Sequence, residues 1–258
     1  MGRYDNFIIC SDLDGTLLNN KGEFSRENYE AIENFCKNGG AFTLATGRWP
    51  SYLSDVAPKE FFKSPIICCN GACIYDFKLQ KILYECPLEE KVLEICDFLS
   101  KNDLHISANV IFRALEKQTI TDFGKNMALI RDMFKKTIYK IVLVMDDSEK
   151  TVELKNLLVK NFGEYFNFSR SWATGLEILN KNTTKGDALK ILKEMIANKR
   201  TLICVGDYEN DITMIDAADI GCVVENAVPE LKSVADKIIC SNDEHAIKYI
   251  IENICDRA

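Results

Sequence analysis

Both ends of the chain alternate short apolar runs with amphipathic helical patterns. Six runs are rich in β-branched residues and apolar at nearly every position: FIIC, AFTLA, PIICC, TLICVG, IGCVV and KIIC. Continuous apolarity, without apolar–polar alternation, is typical of strands buried on both faces of a mostly parallel sheet. Strands that alternate with helices favour βαβ units, so the sequence predicts an α/β domain with helices on both faces of its sheet.

Two of the helical patterns show how the helices lie on this sheet. In SRENYEAIENFCKNGG, Ser25 is suited to cap the N-terminus, and Gly39 with Gly40 ends the helix. The pattern KGDALKILKEMIANK predicts a second helix with one apolar face, which the sheet would bury. That face comprises Ala188, Leu189, Leu192, Met195 and Ile196.

Composition disfavours several classes of protein. The 258 residues carry a net charge of -7, whereas a nucleic-acid-binding domain is usually basic, so we expect no nucleic-acid partner. No apolar stretch approaches the roughly 20 residues that span a bilayer, and we expect no membrane partner. The first apolar run starts too early for a signal peptide to precede it, which predicts a cytoplasmic protein. The eleven cysteines lie in apolar or helical contexts without a C-x-x-C pair, which favours reduced thiols.

Four groups of polar residues follow a predicted strand or open a predicted helix. They are Asp12 to Thr16 (DLDGT), Thr46 to Arg48 (TGR), Lys185 with Gly186, and Gly206 to Asp211 (GDYEND). The carboxyl ends of parallel strands share one edge of a sheet, and ligands bind in the crevice there. The sequence therefore predicts that hydroxyl, ammonium and carboxylate groups meet in one crevice.

The charge balance of these groups predicts what they hold. Asp12, Asp14, Asp207 and Asp211 would repel one another, and a bound cation would relieve that repulsion. Carboxylate oxygens without histidine or cysteine ligands favour Mg²⁺. A threonine with backbone N–H groups and Lys185 would form an anion site beside the metal. Phosphoryl transfer needs this combination, because its catalysis consists largely of positioning and charge neutralisation.

The motifs DLDGT, ATGR, KGDAL and GDYEND, in this order and spacing, resemble the four motifs of haloacid dehalogenase superfamily phosphatases. Within that superfamily, the chain is most similar to the Cof-type sugar phosphatases with a C2-type cap. The segments NGA (70–72) and NAVPELKSVAD (226–236) are also similar to stretches found in that group. The resemblance implies a Rossmann-like parallel-sheet core, an inserted α+β cap, and Mg²⁺-dependent hydrolysis of a small phosphorylated metabolite.

The resemblance also implies a role for the two aspartates of the first motif. Asp12 would be the nucleophile that forms an aspartyl-phosphate, which divides one difficult displacement into two easier ones. Asp14 would donate a proton to the leaving alcohol and then accept one from the hydrolytic water. On an extended chain, residues two apart project to the same side, so one carboxylate would attack while the other moves the proton.

The remaining motif residues would bind the phosphoryl group and the metal. By resemblance, Thr46, the Gly47 backbone, Lys185 and Asn210 would contact the substrate phosphate. Mg²⁺ would be bound by the Asp12 and Asp207 carboxylates and the Asp14 carbonyl, with Asp211 close by.

The middle of the chain predicts a separate domain. Residues 81–184 mix the strand pattern KTIYKIVLVM with helical patterns, one of which has Leu88, Val92, Ile95 and Leu99 in register. Because Asp12 and Asp207 must meet, residues 1–80 and 185–258 would form one discontinuous core. Residues 81–184 would form an α+β cap that closes over the crevice, excludes water and contacts the leaving group.

Several single residues keep a structural alternative. Arg48 could bind phosphate or pair with a carboxylate, and we favour the carboxylate. Asn70 is more typical of a turn residue, while Thr16 could orient the loop that carries Asp12. Val224 and Glu225 replace the methionine and glycine common in the family, so the family is a weaker guide to the substrate.

Other functions remain open from the sequence. A phosphomutase shares this chemistry but returns the phosphoryl group to a sugar. A receiver-type phosphoacceptor domain combines similar residues, yet it needs neither the second aspartate of DLD nor an insertion of cap size. A catalytically silent binding protein is disfavoured because every expected catalytic side chain is present. The sequence identifies neither the substrate nor the oligomeric state.

Overall fold

The computed structural model describes residues 2–57, 61–102, 106–112, 117–120, 127–196 and 199–256. The chain divides into two compact units, Met1–Tyr84 with Thr184–Ala258, and Glu85–Thr183. Within the described ranges, no helix combines the length and the apolarity needed to cross a bilayer.

The secondary structure is named in chain order. The strands are β1 (Phe7–Ser11), β2 (Ala41–Leu44), β3 (Ile66–Cys68), β4 (Cys73–Asp76), β5 (Lys81–Glu85), β6 (Ser107–Phe112), β7 (Lys117–Ile120), β8 (Ile138–Val144), β9 (Phe166–Trp172), β10 (Gly175–Asn180), β11 (Thr201–Gly206), β12 (Ile220–Val223) and β13 (Lys237–Ile238). The helices are α1 (Arg26–Lys37), α2 (Pro50–Leu53), α3 (Leu93–Lys101), α4 (Met127–Met133), α5 (Ser148–Phe162), α6 (Lys185–Ile196), α7 (Ile212–Asp216), α8 (Pro229–Lys232) and α9 (Ala246–Ile250).

The first unit is built on a five-stranded sheet in the order β13-β12-β11-β1-β2. All neighbouring strands in this sheet are parallel, which confirms the predicted α/β class. Strand β1 lies between β11 and β2, so the loops that follow these three strands start side by side at one edge. This edge is where the sequence predicts the crevice.

The predicted direction of one strand was wrong. The run PIICC forms β3, which pairs antiparallel with β4 in a three-stranded sheet ordered β3-β4-β5. A single parallel bridge between Ala45 and Ile67 joins β3 to the chain after β2. The cause is the turn Cys69–Gly71, which reverses the chain directly after β3 and brings β4 back beside it.

The helices of the first unit follow the predicted patterns except at the C-terminal end of α6. In α1, the Ser25 side chain accepts a hydrogen bond from the backbone N–H of Asn28, as an N-cap residue does. In α6, the predicted apolar face is buried as far as Leu192, but Met195 is 46% exposed. The prediction was wrong for Met195, and Ile196 is only half-buried, because burial along α6 stops at Leu192, one turn before the helix ends.

The second unit has an antiparallel sheet in the order β7-β6-β8-β10-β9. Apolar side chains from one face of this sheet pack with α3, α4 and α5 into a separate hydrophobic core. The four residues predicted to share a helical face, Leu88, Val92, Ile95 and Leu99, are all buried in that core. The predicted helix began too early, however, because α3 starts at Leu93 and Leu88 lies outside it. A core of its own is what an independently folded domain requires.

All eleven cysteines lie within described segments, and each is a free thiol. Eight are buried, and burial raises the pKa of Cys96 and Cys222 to about 12. The thiols of Cys96 and Cys222 are therefore protonated at neutral pH and pack as small apolar side chains.

Candidate active site

Backbone hydrogen bonds align the three loops that carry the site. The N–H of Asp12 donates to the carbonyl oxygen of Val205 in β11 at 2.9 Å. On the other side of β1, the N–H of Ala45 donates to the carbonyl of Ser11 at 2.9 Å. The sheet ladder therefore extends one residue beyond β1 and places Asp12 between the loops that follow β2 and β11.

Lys185, the first residue of α6, bridges two of the predicted carboxylates. Its Nζ donates to Asp12 Oδ1 at 2.5 Å and to Asp211 Oδ1 at 2.6 Å. The lysine is 1% exposed, and Asp211 is completely buried. Burial alone would lower the pKa of Lys185, but Asp12 and Asp211 outweigh it and raise the pKa above its usual value. Lys185 is therefore a buried cation held between two carboxylates.

Asp211 organises the loop that follows β11. Its Oδ2 accepts hydrogen bonds from the backbone N–H groups of Asp207 and Tyr208, at 3.0 and 3.2 Å. A Cβ on Gly206 would lie 2.5 Å from the Asp211 carboxylate, so only glycine fits where the loop begins. With Lys185 on its other oxygen, Asp211 braces both the loop and the ammonium.

Asp207 is tied to the loop after β1. Its Oδ1 accepts a hydrogen bond from Thr16 Oγ1 at 3.0 Å. Gly15 has a φ of +78°, and a Cβ there would lie 2.4 Å from Asp207 Oδ2. The side chain of Thr16 thus orients Asp207, a partner that the sequence did not identify, and Gly15 leaves room for the carboxylate.

Three aspartates form one acidic group, in which Asp12 and Asp211 are buried and Asp207 is half-buried. Ligand oxygens of Asp12, Asp207 and Asp211 lie within 4.8 Å of one another. Burial raises the pKa of Asp12 well above its usual value, Lys185 lowers it, and the other two aspartates raise it further. Burial and then Asp211 raise the pKa of Asp207 to about 7. Three carboxylates against one ammonium, with oxygen donors only, fit a hard divalent cation such as Mg²⁺.

Asp14 lies apart from this acidic group and is half-exposed. Its two carboxylate oxygens accept hydrogen bonds from Arg48, at 2.9 Å from Nε and 2.5 Å from Nη2. Arg48 therefore pairs with a carboxylate, as the sequence analysis favoured, and the carboxylate is the one predicted to move protons.

The Thr46–Arg48 loop after β2 is held by an internal hydrogen bond and lies beside Asn70. Thr46 is buried, and its Oγ1 accepts a hydrogen bond from the backbone N–H of Arg48 at 3.1 Å. A Cβ on Gly47 would lie 3.3 Å from both polar atoms of the Asn70 side chain. The Asn70 Oδ1 in turn accepts a hydrogen bond from Asn210 Nδ2 at 3.1 Å.

The structure thus groups Lys185 with Asp12, Asp207 and Asp211, and it directs the Asp14 carboxylate to Arg48. In the loop after β2, Gly47 lies beside Asn70, which bonds to Asn210. The sequence reasoning underestimated Asn70, although the NGA segment drew attention to it. It also passed over the side chain of Asn226, whose Nδ2 donates to the carbonyl oxygen of Gly15 at 2.8 Å. The segment NAVPELKSVAD, which begins at this residue, was the available signal.

Comparison with known proteins places this geometry in a family. Residues 9–251 match the haloacid dehalogenase-like hydrolases. A putative phosphatase of Buchnera aphidicola is 27% identical over 96% of this chain and 98% of its own length. The 5-amino-6-(5-phospho-D-ribitylamino)uracil phosphatase of Bacillus subtilis is 29% identical over 95% of this chain and 97% of its own.

A solved structure shows the same fold. A haloacid dehalogenase-like hydrolase from Bacillus subtilis superposes with a TM-score of 0.81, over 96% of this chain and 99% of that chain, at 23% identity. The match of four ordered motifs, the family match over residues 9–251 and this superposition agree. The chain therefore belongs to the haloacid dehalogenase-like hydrolases, as its motifs predicted.

Proposed function

We propose that this hydrolase removes the phosphoryl group from small phosphorylated metabolites, with Mg²⁺ and an aspartyl-phosphate intermediate on Asp12. The observation that carries the proposal is the buried Lys185 ammonium, which bridges Asp12 and Asp211 beside Asp207. A buried ion pair is weak evidence for stability, because the desolvation of its charges offsets their attraction. A role in binding the charged phosphoryl group explains why this buried ion pair lies at the carboxyl edge of the sheet.

Asp12 is the proposed nucleophile because it is buried, held in position by Lys185, and lies at the strand end beside the loop that carries Thr46. Lys185 holds one of its oxygens at 2.5 Å. In the first step a carboxylate oxygen of Asp12 forms a bond to phosphorus, and the bond from phosphorus to the alcohol oxygen breaks. In the second step water attacks the same phosphorus, and breakage of the aspartyl P–O bond releases phosphate and restores Asp12.

Asp14 is the proposed proton carrier for both steps. It donates a proton to the leaving alkoxide and then accepts one from the attacking water. Its half-exposed position suits this exchange, whereas Asp12 is buried by Lys185 and its neighbours. Arg48 donates a hydrogen bond to each oxygen of Asp14, so at least one of these bonds must break or be shared with the proton when the proton moves.

Four groups are proposed to bind the phosphoryl oxygens. The Thr46 Oγ1 already accepts a hydrogen bond from Arg48, so its O–H proton is directed elsewhere and donates to the substrate. The N–H of Gly47, the ammonium of Lys185 and the amide of Asn210 provide the other donors. Together they stabilise charge on the equatorial oxygens during transfer.

The acidic group is proposed to hold Mg²⁺ through the Asp12 and Asp207 carboxylates and the Asp14 carbonyl, with Asp211 close by. When bound, Mg²⁺ neutralises charge on the phosphoryl oxygens and screens the attacking carboxylate. Lys185 fixes the position of Asp12 before substrate binds, because its ammonium bonds to Asp12 and is held from the other side by Asp211.

Sugar phosphates are the proposed substrate class. The named activity of the Bacillus subtilis relative is directed at a phosphate carried on a ribityl chain, which supports a small polyol-like leaving group. We further propose that residues 81–184 act as the cap that selects this leaving group, because every proposed catalytic residue lies outside them.

Phosphate release tests the proposal. The purified protein is assayed against sugar phosphates, nucleotides and phosphorylated acids, with Mg²⁺ and with excess chelator, and the organic products are identified. We expect Mg²⁺-dependent phosphate release with a preference for sugar phosphates, and none from Asp12→Asn. Sugar bisphosphates or rearranged monophosphates among the products would indicate a phosphomutase, and full activity in chelator would contradict the metal assignment.

A further inference from the structure

The turn between β3 and β4 has an unusual backbone. Cys69 and Asn70 have φ values of 51° and 54°, and Gly71 follows at 102°. A side chain at positive φ is disfavoured for L-residues, although asparagine tolerates it better than most. Gly71 has a steric reason for its identity, because a Cβ there would lie 2.2 Å from the carbonyl oxygen of Thr184. Cys69 and Asn70 adopt positive φ values although they are not glycine, so their conformation needs another explanation.

This strained turn is buried and contacts the Thr46–Arg48 loop. Asn70 is only 2% exposed, and its backbone N–H donates to the carbonyl oxygen of Thr46 at 3.0 Å. The N–H of Cys69 donates to the carbonyl oxygen of Arg48 at 3.1 Å. The turn therefore holds the Thr46–Arg48 loop by its backbone from both ends. Strain of this kind persists where the surrounding structure enforces it, often at functional sites.

The left-handed conformation also directs the Asn70 side chain to the other side of the site. Its Oδ1 accepts a hydrogen bond from Nδ2 of Asn210, which lies in the loop after β11. The amide of Asn70 also occupies the space beside Gly47, where a Cβ would lie 3.3 Å from it. One residue thus links the loop after β2 with the loop after β11.

Asn210 retains capacity to bind a ligand after making this bond. Its Nδ2 carries a second N–H, and its Oδ1 is buried without a hydrogen-bond partner among the described residues. A buried amide oxygen without a partner calls for an explanation, and a bound ligand at the site provides one. The bond to Asn70 leaves the amide little freedom to rotate away.

We propose that Asn70 is a positioning residue, which orients the Asn210 amide toward the phosphoryl group and fixes it relative to the Thr46–Arg48 loop. The inference rests on the proposed function and adds to it a residue that the four motifs do not contain. Asn70 acts through Asn210, so its side chain should contribute nothing to the reaction rate once the Asn210 amide is removed. A residue that only forms a turn would not show this dependence.

The test uses a substitution that separates the side chain from the backbone. Asn70→Gly removes the amide but keeps the left-handed conformation, since glycine adopts a φ of 54° without strain. Cys69→Gly is the matched control, because it places glycine at a φ of 51° one residue earlier and leaves the amide in place. Asn210→Ala and the double variant Asn70→Gly with Asn210→Ala complete a double-mutant cycle.

Two readouts are measured for each protein, together with its melting temperature. The first is kcat/KM for para-nitrophenyl phosphate, and the second is the affinity for inorganic phosphate by calorimetry. We expect Asn70→Gly and Asn210→Ala each to lower both about tenfold, the loss of one positioned hydrogen bond. The double variant should fall no more than about twofold below Asn210→Ala, and Cys69→Gly should stay within about twofold of wild type.

Three outcomes would overturn the inference. They are an Asn70→Gly variant that equals wild type, a double variant whose loss is the product of the two single losses, and a Cys69→Gly variant as impaired as Asn70→Gly. Failure of the proposed function gives a different result. A wild-type protein that binds phosphate but does not turn over the ester would refute the phosphatase assignment, and the phosphate affinities would still decide the role of Asn70.

Discussion

Replacement of Lys185 by methionine tests the charge arrangement at the centre of the site. Methionine keeps most of the side-chain volume and removes only the ammonium. The substitution leaves Asp12 and Asp211 buried without the cation that lies 2.5 and 2.6 Å from them. The protein is therefore expected to lose stability as well as activity.

The size of the stability loss follows from the burial of the pair. The side chains of Lys185 and Asp211 are fully buried, and removal of one partner of such a pair costs about 3–5 kcal/mol. One kcal/mol shifts the melting temperature by about 2–4 °C in a domain of this size, so Lys185→Met is expected to melt about 6–20 °C lower. Lys193→Met is the control, because its pair with Asp219 lies at the surface, with side chains 33% and 46% exposed, and is worth at most about 1 kcal/mol.

The melting temperature of each variant is measured by calorimetry at several pH values. Lys185 lowers the pKa of Asp12, so this pKa rises further in Lys185→Met and protons replace the missing cation at acid pH. We expect the deficit of Lys185→Met to shrink as the pH falls, and that of Lys193→Met to remain small throughout. A Lys185→Met deficit no larger than that of Lys193→Met would refute the reasoning.

Three other predictions concern the metal, the proton carrier and the inserted unit. Burial raises the pKa of Asp207 in the folded protein to about 7, from an ordinary value of 3.8. Ionised Asp207 therefore opposes folding increasingly as the pH rises between these values. Since Mg²⁺ binds the ionised form, it should raise the melting temperature more at about pH 8 than at about pH 5.5, and equal gains would contradict the site. Asp14→Ala should slow the hydrolysis of alkyl phosphates about 10²–10⁴-fold and that of nitrophenyl phosphate much less, because nitrophenolate leaves without a proton. Equal losses on both would argue against proton donation. Replacement of residues 86–182 by a Gly/Ser linker should leave a folded protein with weak, unselective phosphatase activity, whereas an unchanged substrate preference would refute selection by the cap.

Much of the fold could be predicted because its strands are buried on both faces. FIIC, AFTLA, TLICVG, IGCVV and KIIC became β1, β2, β11, β12 and β13 of one parallel sheet. The direction of β3 could not be predicted in the same way, because continuous apolarity does not show which strand pairs with it. That direction depends on the tight turn Cys69–Gly71, whose backbone only the structure reveals.

For the site, the sequence predicted which polar residues lie at the strand ends, but it did not predict which side chains they bond to. The sequence predicted that Asp12, Thr46 and Asp207 would meet, because parallel strands bring their carboxyl ends to one edge. It did not predict that Lys185 would join Asp12 to Asp211, nor that Thr16 would hold Asp207. Such contacts join residues far apart in the sequence and depend on side-chain rotamers, which a pattern of residue types does not specify.

The most direct test of the account is detection of the covalent intermediate. The protein is mixed with substrate and Mg²⁺, quenched during turnover, and treated with borohydride, which reduces an acyl phosphate on aspartate to homoserine. Peptide mass spectrometry then locates the modified position. The account predicts homoserine at position 12, dependent on substrate and absent from Asp12→Asn. Modification at another carboxylate, or continued turnover by Asp12→Asn, would contradict it.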